Sequence, residues 1–262
     1  GLMYEMGRQI ARDMRSMKID VNFAPVVDVN LHPDVNTIKD RSFGPDKNLV
    51  ADYGSAVMRG MQDGGVVACA KHFPGHGDTE VDSHKALPVL KFPKERLDSV
   101  ELYPFRRLIK DGVEMVMVGH LLVPVLDTLP ASVSKVVVTD LLRKKMKFRG
   151  LIITDALGME GVLEPFGGSG AKATLAAYKA GVDILLMPDN VSESIDLIVD
   201  YIGDDRRKLK DLDARVSRVL ALKGKCGKLT GRDDLSVDPA AVDTKGTDAL
   251  ITTIEETLAA GR

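Results

Sequence analysis

Four times along this chain a helical pattern stops at glycine and a short, apolar, β-branched run begins: Gly64-Gly65, Gly112, Gly150 and Gly181 each fall just ahead of such a run. Glycine lets a helix stop and the chain reverse, so the repeated unit reads helix, glycine, strand. That alternation belongs to parallel α/β proteins. Strand candidates are residues 22–27, 66–70, 115–118, 151–154 and 183–187, near-continuous apolar runs of the kind buried on both faces of a sheet. Helical candidates cover 3–17, 47–63, 94–111, 137–146, 170–180, 192–201, 208–223 and 247–260. Pro93 suits a helix start, whereas Pro104 is expected to kink the 94–111 helix or split it. With 262 residues the length fits a (β/α)₈ barrel, which commonly needs about 250, but five strands leave the count short. Residues 224–246 read as a linker and the final helix as peripheral, so the expected division is a domain over 1–225 followed by a tail over 226–262.

Charge excludes several classes of partner. The 36 Lys and Arg against 38 Asp and Glu give a formal charge of −2 with no basic run, so neither nucleic acid nor an anionic membrane is an expected partner. The most apolar stretch, 115–126, already contains His120 and Pro124 and falls short of the roughly 20 residues that span a bilayer. No membrane insertion is expected. The two cysteines, Cys69 and Cys226, lack any Cys-x-x-Cys spacing, so a disulfide scaffold or structural zinc is not expected either. The opening Gly-Leu-Met-Tyr-Glu-Met-Gly-Arg reads as the middle of an amphipathic helix. The natural start is therefore expected to be missing, which leaves the compartment open between cytoplasm and export and leaves room for further domains.

Parallel α/β folds carry their chemistry where strands end and loops begin. Ionisable residues follow every strand candidate here: Asp28, Lys71-His72, His120, Asp155 and Asp189. Any one could simply bond a neighbouring backbone group, but five strand ends together favour a site. The densest segment runs from Lys71 to His84, and three of the five histidines lie in it. A metal is the first chemistry to test, yet Pro74, Gly75 and Gly77 preclude a helix that would align His72 with His76, and no thiolate is near. A phosphate cradle would need a glycine fingerprint that is absent. Acid–base chemistry remains. Asp82 and His84, two apart, project to one side of an extended backbone, so the carboxylate can accept from the imidazole and tune it to exchange a proton near neutral pH. Flanking Pro and Gly suit a mobile flap.

The run Lys71-His72-Phe73-Pro74-Gly75-His76-Gly77, continued by Asp82-Ser83-His84, together with Asp155 at the end of Leu151-Ile152-Ile153-Thr154, closely resembles glycoside hydrolase family 3, in its β-N-acetylhexosaminidase branch. The resemblance extends through Asn22 to Asn30, Asp40 to Gly44, Val118-Gly119-His120 and Ala180 to Asp183, over roughly residues 3–225. It implies a TIM-type (β/α)₈ barrel and a retaining exo-β-N-acetylglucosaminidase acting on a terminal N-acetylglucosaminide. In that reading Asp155 is the nucleophile, His84 the general acid/base and Asp82 its partner. Arg41, Lys71 and His72 would hold the sugar, His120 and Met159 would line the pocket, and Asp28 would brace the barrel mouth rather than touch sugar. Neither metal nor organic cofactor is implied. Family members also carry an Asp-x-Glu-Gly-Gly segment upstream of the Asn-Phe-Ala-Pro strand, absent from this sequence, so the barrel is expected to be incomplete at its N-terminal side, with first strands missing. A β-glucosidase or exo-glucanase of the same family, a non-catalytic sugar-binding domain and a metal-dependent hydrolase are the competing readings.

Overall fold

A computed structural model describes residues 1–32, 38–77, 87–227 and 242–260. The alternation read from the sequence builds a parallel sheet whose order follows the chain: β1 (Val21–Asn22), β2 (Val67–Phe73), β3 (Met115–Val118) and β4 (Leu151–Thr154). Helix α1 (Leu2–Ser16) precedes β1, and α2 (Lys47–Asp63) leads into β2. Between β2 and β3 come α3 (Lys94–Arg96), a π turn at Leu97–Glu101 and α4 (Leu102–Lys110); a π-helical segment, Val136–Lys145, leads into β4. Five helices follow: α5 (Glu160–Leu163), α6 (Gly170–Ala180), α7 (Val191–Ile202), α8 (Arg206–Lys225) and α9 (Thr244–Ala259). Of the described helices, none is long and apolar enough to cross a membrane.

Three strands depart from their expected bounds, each for a local reason. The 22–27 run pairs as a strand only at its start, Val21–Asn22, and rejoins β2 through a bridge, Val26 to Lys71, where the Lys71 amide donates to the Pro25 carbonyl (3.2 Å) and the Val27 amide to the Lys71 carbonyl (2.7 Å). Residues 183–187 pair with β4 only where Ile184 bridges Ile153; the Leu186 amide then turns to the Thr154 hydroxyl (3.0 Å) instead of a backbone carbonyl. The 66–70 run, by contrast, continues to Phe73, so Lys71 and His72 lie within β2 and not after it. The expected effect of Pro104 is visible too. The 94–111 helix is split by a π turn immediately before α4, and Pro104 falls in the first turn of α4, where its missing N–H removes no bond within that helix.

The pleat sorts the strand residues into two layers. Ala68, Ala70, Val116, Val118 and Ile152 pack with the helices in the larger core. Their alternates Val67, Cys69, Met115, Met117, Leu151 and Ile153 form a second apolar cluster on the other face, joined by Val21, Ile184 and Leu186. Register makes these rows continuous, since Met115 stands beside both Cys69 and Leu151 and Met117 beside Ile153. Val219, Leu222 and Cys226 of α8 pack against this second face. The helix is held there by charge as well: Arg218 donates twice to Asp183 Oδ1 (3.0 and 2.6 Å), while Arg143 (2.6 Å) and the Ile152 amide (2.8 Å) donate to its Oδ2. On the helical side, α1 and α2 cross with Gly7 and Gly60 in backbone contact; a Cβ on Gly60 would lie 2.2 Å from the Tyr4 carbonyl oxygen. Helix α9 packs on α1, where the Thr247 hydroxyl donates to Asp13 (2.8 Å).

Candidate active site

The C-terminal end of β2 is organised by a carboxylate from the preceding strand segment. Asp28 is completely buried and accepts three hydrogen bonds. The backbone N–H groups of His72 (3.1 Å) and His76 (2.7 Å) both donate to Oδ1, and His72 Nδ1 lies 2.8 Å from Oδ2. Burial alone would raise the pKa of Asp28, but the His72 and His76 imidazoles and these bonds outweigh it and hold the carboxyl below the ordinary carboxylate range. Because a carboxylate only accepts, His72 Nδ1 carries the proton. Nε2, with no hydrogen-bond partner among the described residues, is then the ring edge that can face a ligand. The His76 ring stands edge-on to His72 at 5.8 Å, and burial pushes its pKa down against the pull of Asp28. The chain beyond is pressed onto the same strand end, since a Cβ on Gly77 would lie 2.1 Å from the Val29 carbonyl oxygen.

Asp155 directly follows β4. Its amide donates to the Val118 carbonyl (2.9 Å), continuing the ladder, and its Oδ1 accepts from the Ala156 amide (2.9 Å). Oδ2 has no hydrogen-bond partner among the described residues. Burial would raise the pKa of Asp155, but His72, His120, the Ala156 amide and Lys71 together bring it below the usual value, so the group is anionic at neutral pH. Lys71 follows Val67 and Cys69 along β2 as Asp155 follows Leu151 and Ile153 along β4. Period-two alternation therefore carries both side chains to the same face, above the second apolar cluster. Burial lowers the Lys71 pKa and Arg41 adds to that effect, while Asp155 and Asp28 act against it.

Arg41 is exposed and ends a single 3₁₀ turn, Lys39–Arg41. The loop is tied to the site where the Ser42 hydroxyl donates to the Asp28 carbonyl (2.7 Å) and the Asn30 amide to the Gly44 carbonyl (3.0 Å). His120 follows β3 and is 1% exposed; Nδ1 lies 2.7 Å from the Ser132 hydroxyl and Nε2 2.9 Å from the Ala156 carbonyl oxygen. Burial lowers its pKa, opposed by Asp155 and by the bond to Ala156. Met159 is buried on the loop after Asp155, where its amide donates to the Ala156 carbonyl (3.2 Å).

Thus Lys71, His72, His120 and Asp155 act on one another electrostatically, Arg41 reaches the group through Lys71, and Met159 lies four residues beyond the carboxylate. Asp82 and His84 lie outside the described residues. No cluster of three or more His, Cys, Asp or Glu side chains among the described residues could hold a metal ion. Two partnerships were not legible in the sequence. Asp28 meets His72 across 44 positions, and Ser132 meets His120 across 12. The only sequence signal for the first was that both residues follow apolar runs, and for the second there was none.

A parallel sheet with ionisable side chains gathered at the C-terminal ends of its strands defines an α/β protein built to hold a ligand at that edge. Residues 1–222 match the glycosyl hydrolase family 3 N-terminal domain, and the chain belongs to that family. It is 34% identical to β-hexosaminidase A of Pseudoalteromonas piscicida over 238 residues, which is 82% of this chain and 40% of that protein. A β-hexosaminidase of Methylobacillus flagellatus is 36% identical over 195 residues, 73% of this chain and 55% of its own length. The family 3 β-N-acetylglucosaminidase of a Paenibacillus species has a TM-score of 0.89 at 36% identity, covering 97% of this chain and 49% of that one. The chain thus spans about half the length of the relatives it matches.

Proposed function

We propose that this chain carries the catalytic domain of a retaining exo-β-N-acetylglucosaminidase, which removes terminal β-linked N-acetylhexosamine. The carrying observation is the Asp155 carboxylate: anionic, anchored among the described residues through one oxygen, and set at a strand end among Lys71, His72 and His120. Relatives named β-hexosaminidase and β-N-acetylglucosaminidase support the substrate. The parallel sheet, whose alternate residues line a second apolar face, supports its being part of a (β/α)₈ barrel over residues 1–225, with 226–262 as an appended tail.

Two displacements follow. Asp155 Oδ2 attacks the anomeric carbon while protonated His84 gives its proton to the departing glycosidic oxygen, leaving a glycosyl ester on Asp155 and a free alcohol. Water then gives a proton to His84 and attacks the same carbon; the ester bond breaks, the Asp155 carboxylate is restored and the anomeric configuration is retained. A carboxylate with a depressed pKa is a good leaving group for the second step, and the Ala156 amide and the Lys71 ammonium contribute to that property. Asp82 tunes His84, and Arg41, Lys71 and His72 Nε2 hold the hydroxyl and N-acetyl groups. In a partly dry pocket, charged donors contribute more than neutral ones. His84 and Asp82 enter by their motif alone.

The test is hydrolysis of p-nitrophenyl N-acetyl-β-D-glucosaminide against the matching glucoside, with the first-formed anomer read by NMR. Preferred cleavage of the acetamido sugar with β-product first is expected. Faster cleavage of the glucoside would move the assignment to a β-glucosidase, and binding of N-acetylglucosamine without turnover would make the domain a sugar-binding module.

A further inference from the structure

We propose that His120 is a positioning residue for Asp155, acting on the attacking carboxylate through the Ala156 backbone and making no hydrogen bond to sugar. The inference rests on the glycosidase reading above and assigns the orientation of its nucleophile.

Both nitrogens of this buried ring are committed to protein, one to the Ser132 hydroxyl and one to the Ala156 carbonyl. A carbonyl oxygen can only accept, so Nε2 carries a proton; in the neutral ring Nδ1 then accepts from the Ser132 hydroxyl. Burial lowers the pKa and thereby favours that neutral form. Ser132 is itself fixed. It lies in the 3₁₀ turn Ala131–Val133, which the Ala131 amide ties to the Leu121 carbonyl (2.7 Å) and the Val133 amide to the Pro130 carbonyl (2.9 Å). The ring therefore links two parts of the loop after β3 to the loop after β4.

At the far end, the peptide plane between Ala156 and Leu157 is held on both edges. Its carbonyl accepts from His120 Nε2 and from the Met159 amide, and its N–H donates to the Leu186 carbonyl (2.9 Å). One residue back, the Asp155 amide is fixed to Val118. With both flanking planes set, the direction of the Ala156 N–H is set too, and that N–H holds Asp155 Oδ1. His120 thereby determines which way Oδ2 points. Displacement at an anomeric carbon is sensitive to this angle, because a misplacement of about 1 Å can cost about 10²-fold in rate.

Three variants test the assignment: His120→Leu removes both bonds, His120→Asn reaches Ser132 but falls short of Ala156, and His120→Gln extends an amide N–H to the Ala156 carbonyl. On p-nitrophenyl N-acetyl-β-D-glucosaminide, leucine and asparagine should lower kcat by about 10- to 100-fold with KM nearly unchanged, and glutamine should recover most of that loss. Amide hydrogen exchange at Ala156 and Leu157 should quicken in the asparagine variant and stay near wild type in the glutamine one. A rise in KM that exceeds the fall in kcat would make His120 a sugar contact and overturn the proposal, as would glutamine no better than asparagine. Should leucine fail to fold, the asparagine and glutamine pair carries the comparison. Exchange needs no turnover: a wild-type protein that cleaves nothing refutes the glycosidase reading, whereas exchange unaltered in asparagine refutes the positioning role.

Discussion

Replacing Asp28 with alanine would strip three donors of their acceptor at a point with no solvent exposure: the His72 and His76 amides and His72 Nδ1. Removing one member of a buried charged pair costs about 3–5 kcal/mol, because the partners stay buried without compensation. Asparagine keeps an oxygen for the two amides and loses only the charge-assisted bond to the ring, for a cost of about 1–2 kcal/mol. Its NH₂ faces Nδ1, so the His72 proton must move to Nε2 and the ring then presents a donor to the ligand. Urea unfolding at pH 7, with equal slopes, should therefore place alanine at least ~1 kcal/mol below asparagine. The pH dependence has a definite sign. A folded-state pKa below the ordinary value means that the carboxylate's contribution is complete above about pH 4 and lost as the pH falls through the depressed value, so wild type and asparagine should converge in acid. Alanine and asparagine equal in stability, or a gap that widens in acid, would refute the bracing role.

Asp155→Asn should abolish turnover yet keep the unfolding free energy within about 1 kcal/mol, since an amide oxygen can still accept from Ala156; near-full kcat would remove the nucleophile. His84→Ala should lose most rate on alkyl glycosides and much less on activated aryl glycosides, because an acid is needed only where the leaving group is poor; equal loss on both would make it a structural histidine. Gly60→Ala should destabilise by about 1–2 kcal/mol in urea unfolding despite alanine's higher helix propensity, because the added methyl meets the Tyr4 backbone. A gain in stability there would show that α1 and α2 can move apart without loss.

What the sequence revealed, it revealed through periodicity. The apolar runs at 115–118 and 151–154 became β3 and β4 at the same bounds, and the helical stretches 47–63 and 170–180 became α2 and α6 likewise. Errors arose where a neighbour decides. Whether residues 66–70 continue through Lys71 and His72 depends on the partner strand, since the Val27 amide takes the Lys71 carbonyl (2.7 Å) and the Gly119 amide that of Phe73 (2.9 Å). The site was legible as a set of strand ends, but not as a set of pairs. Spacing alone pointed to Asp82 and His84, two positions apart, whereas the aspartate–histidine pair that the described residues contain joins Asp28 to His72 across two strand ends, a contact that no local pattern encodes.

Partner counts then separate the uses of three aspartates, Asp28, Asp155 and Asp183, whose side chains the structure largely or wholly buries. Asp183 receives four hydrogen bonds, from Arg143, the Ile152 amide and both forks of Arg218, and Asp28 receives three. A carboxylate has about four lone-pair sites, so both are nearly saturated and have no oxygen left for an incoming carbon without breaking a buried bond. Asp155 receives one hydrogen bond among the described residues, and its pKa is lowered further by neighbours that make no hydrogen bond to it, the Lys71 ammonium among them. Long-range attraction of this kind keeps the group ionised without blocking Oδ2, which is what a nucleophile needs and a structural brace does not. The same comparison explains why the chain can bury acidic groups at both ends of its sheet. Where Asp183 anchors α8, hydrogen bonds compensate for desolvation; where Asp155 waits for substrate, the Ala156 amide and the Lys71 ammonium do so, and Oδ2 has no hydrogen-bond partner among the described residues.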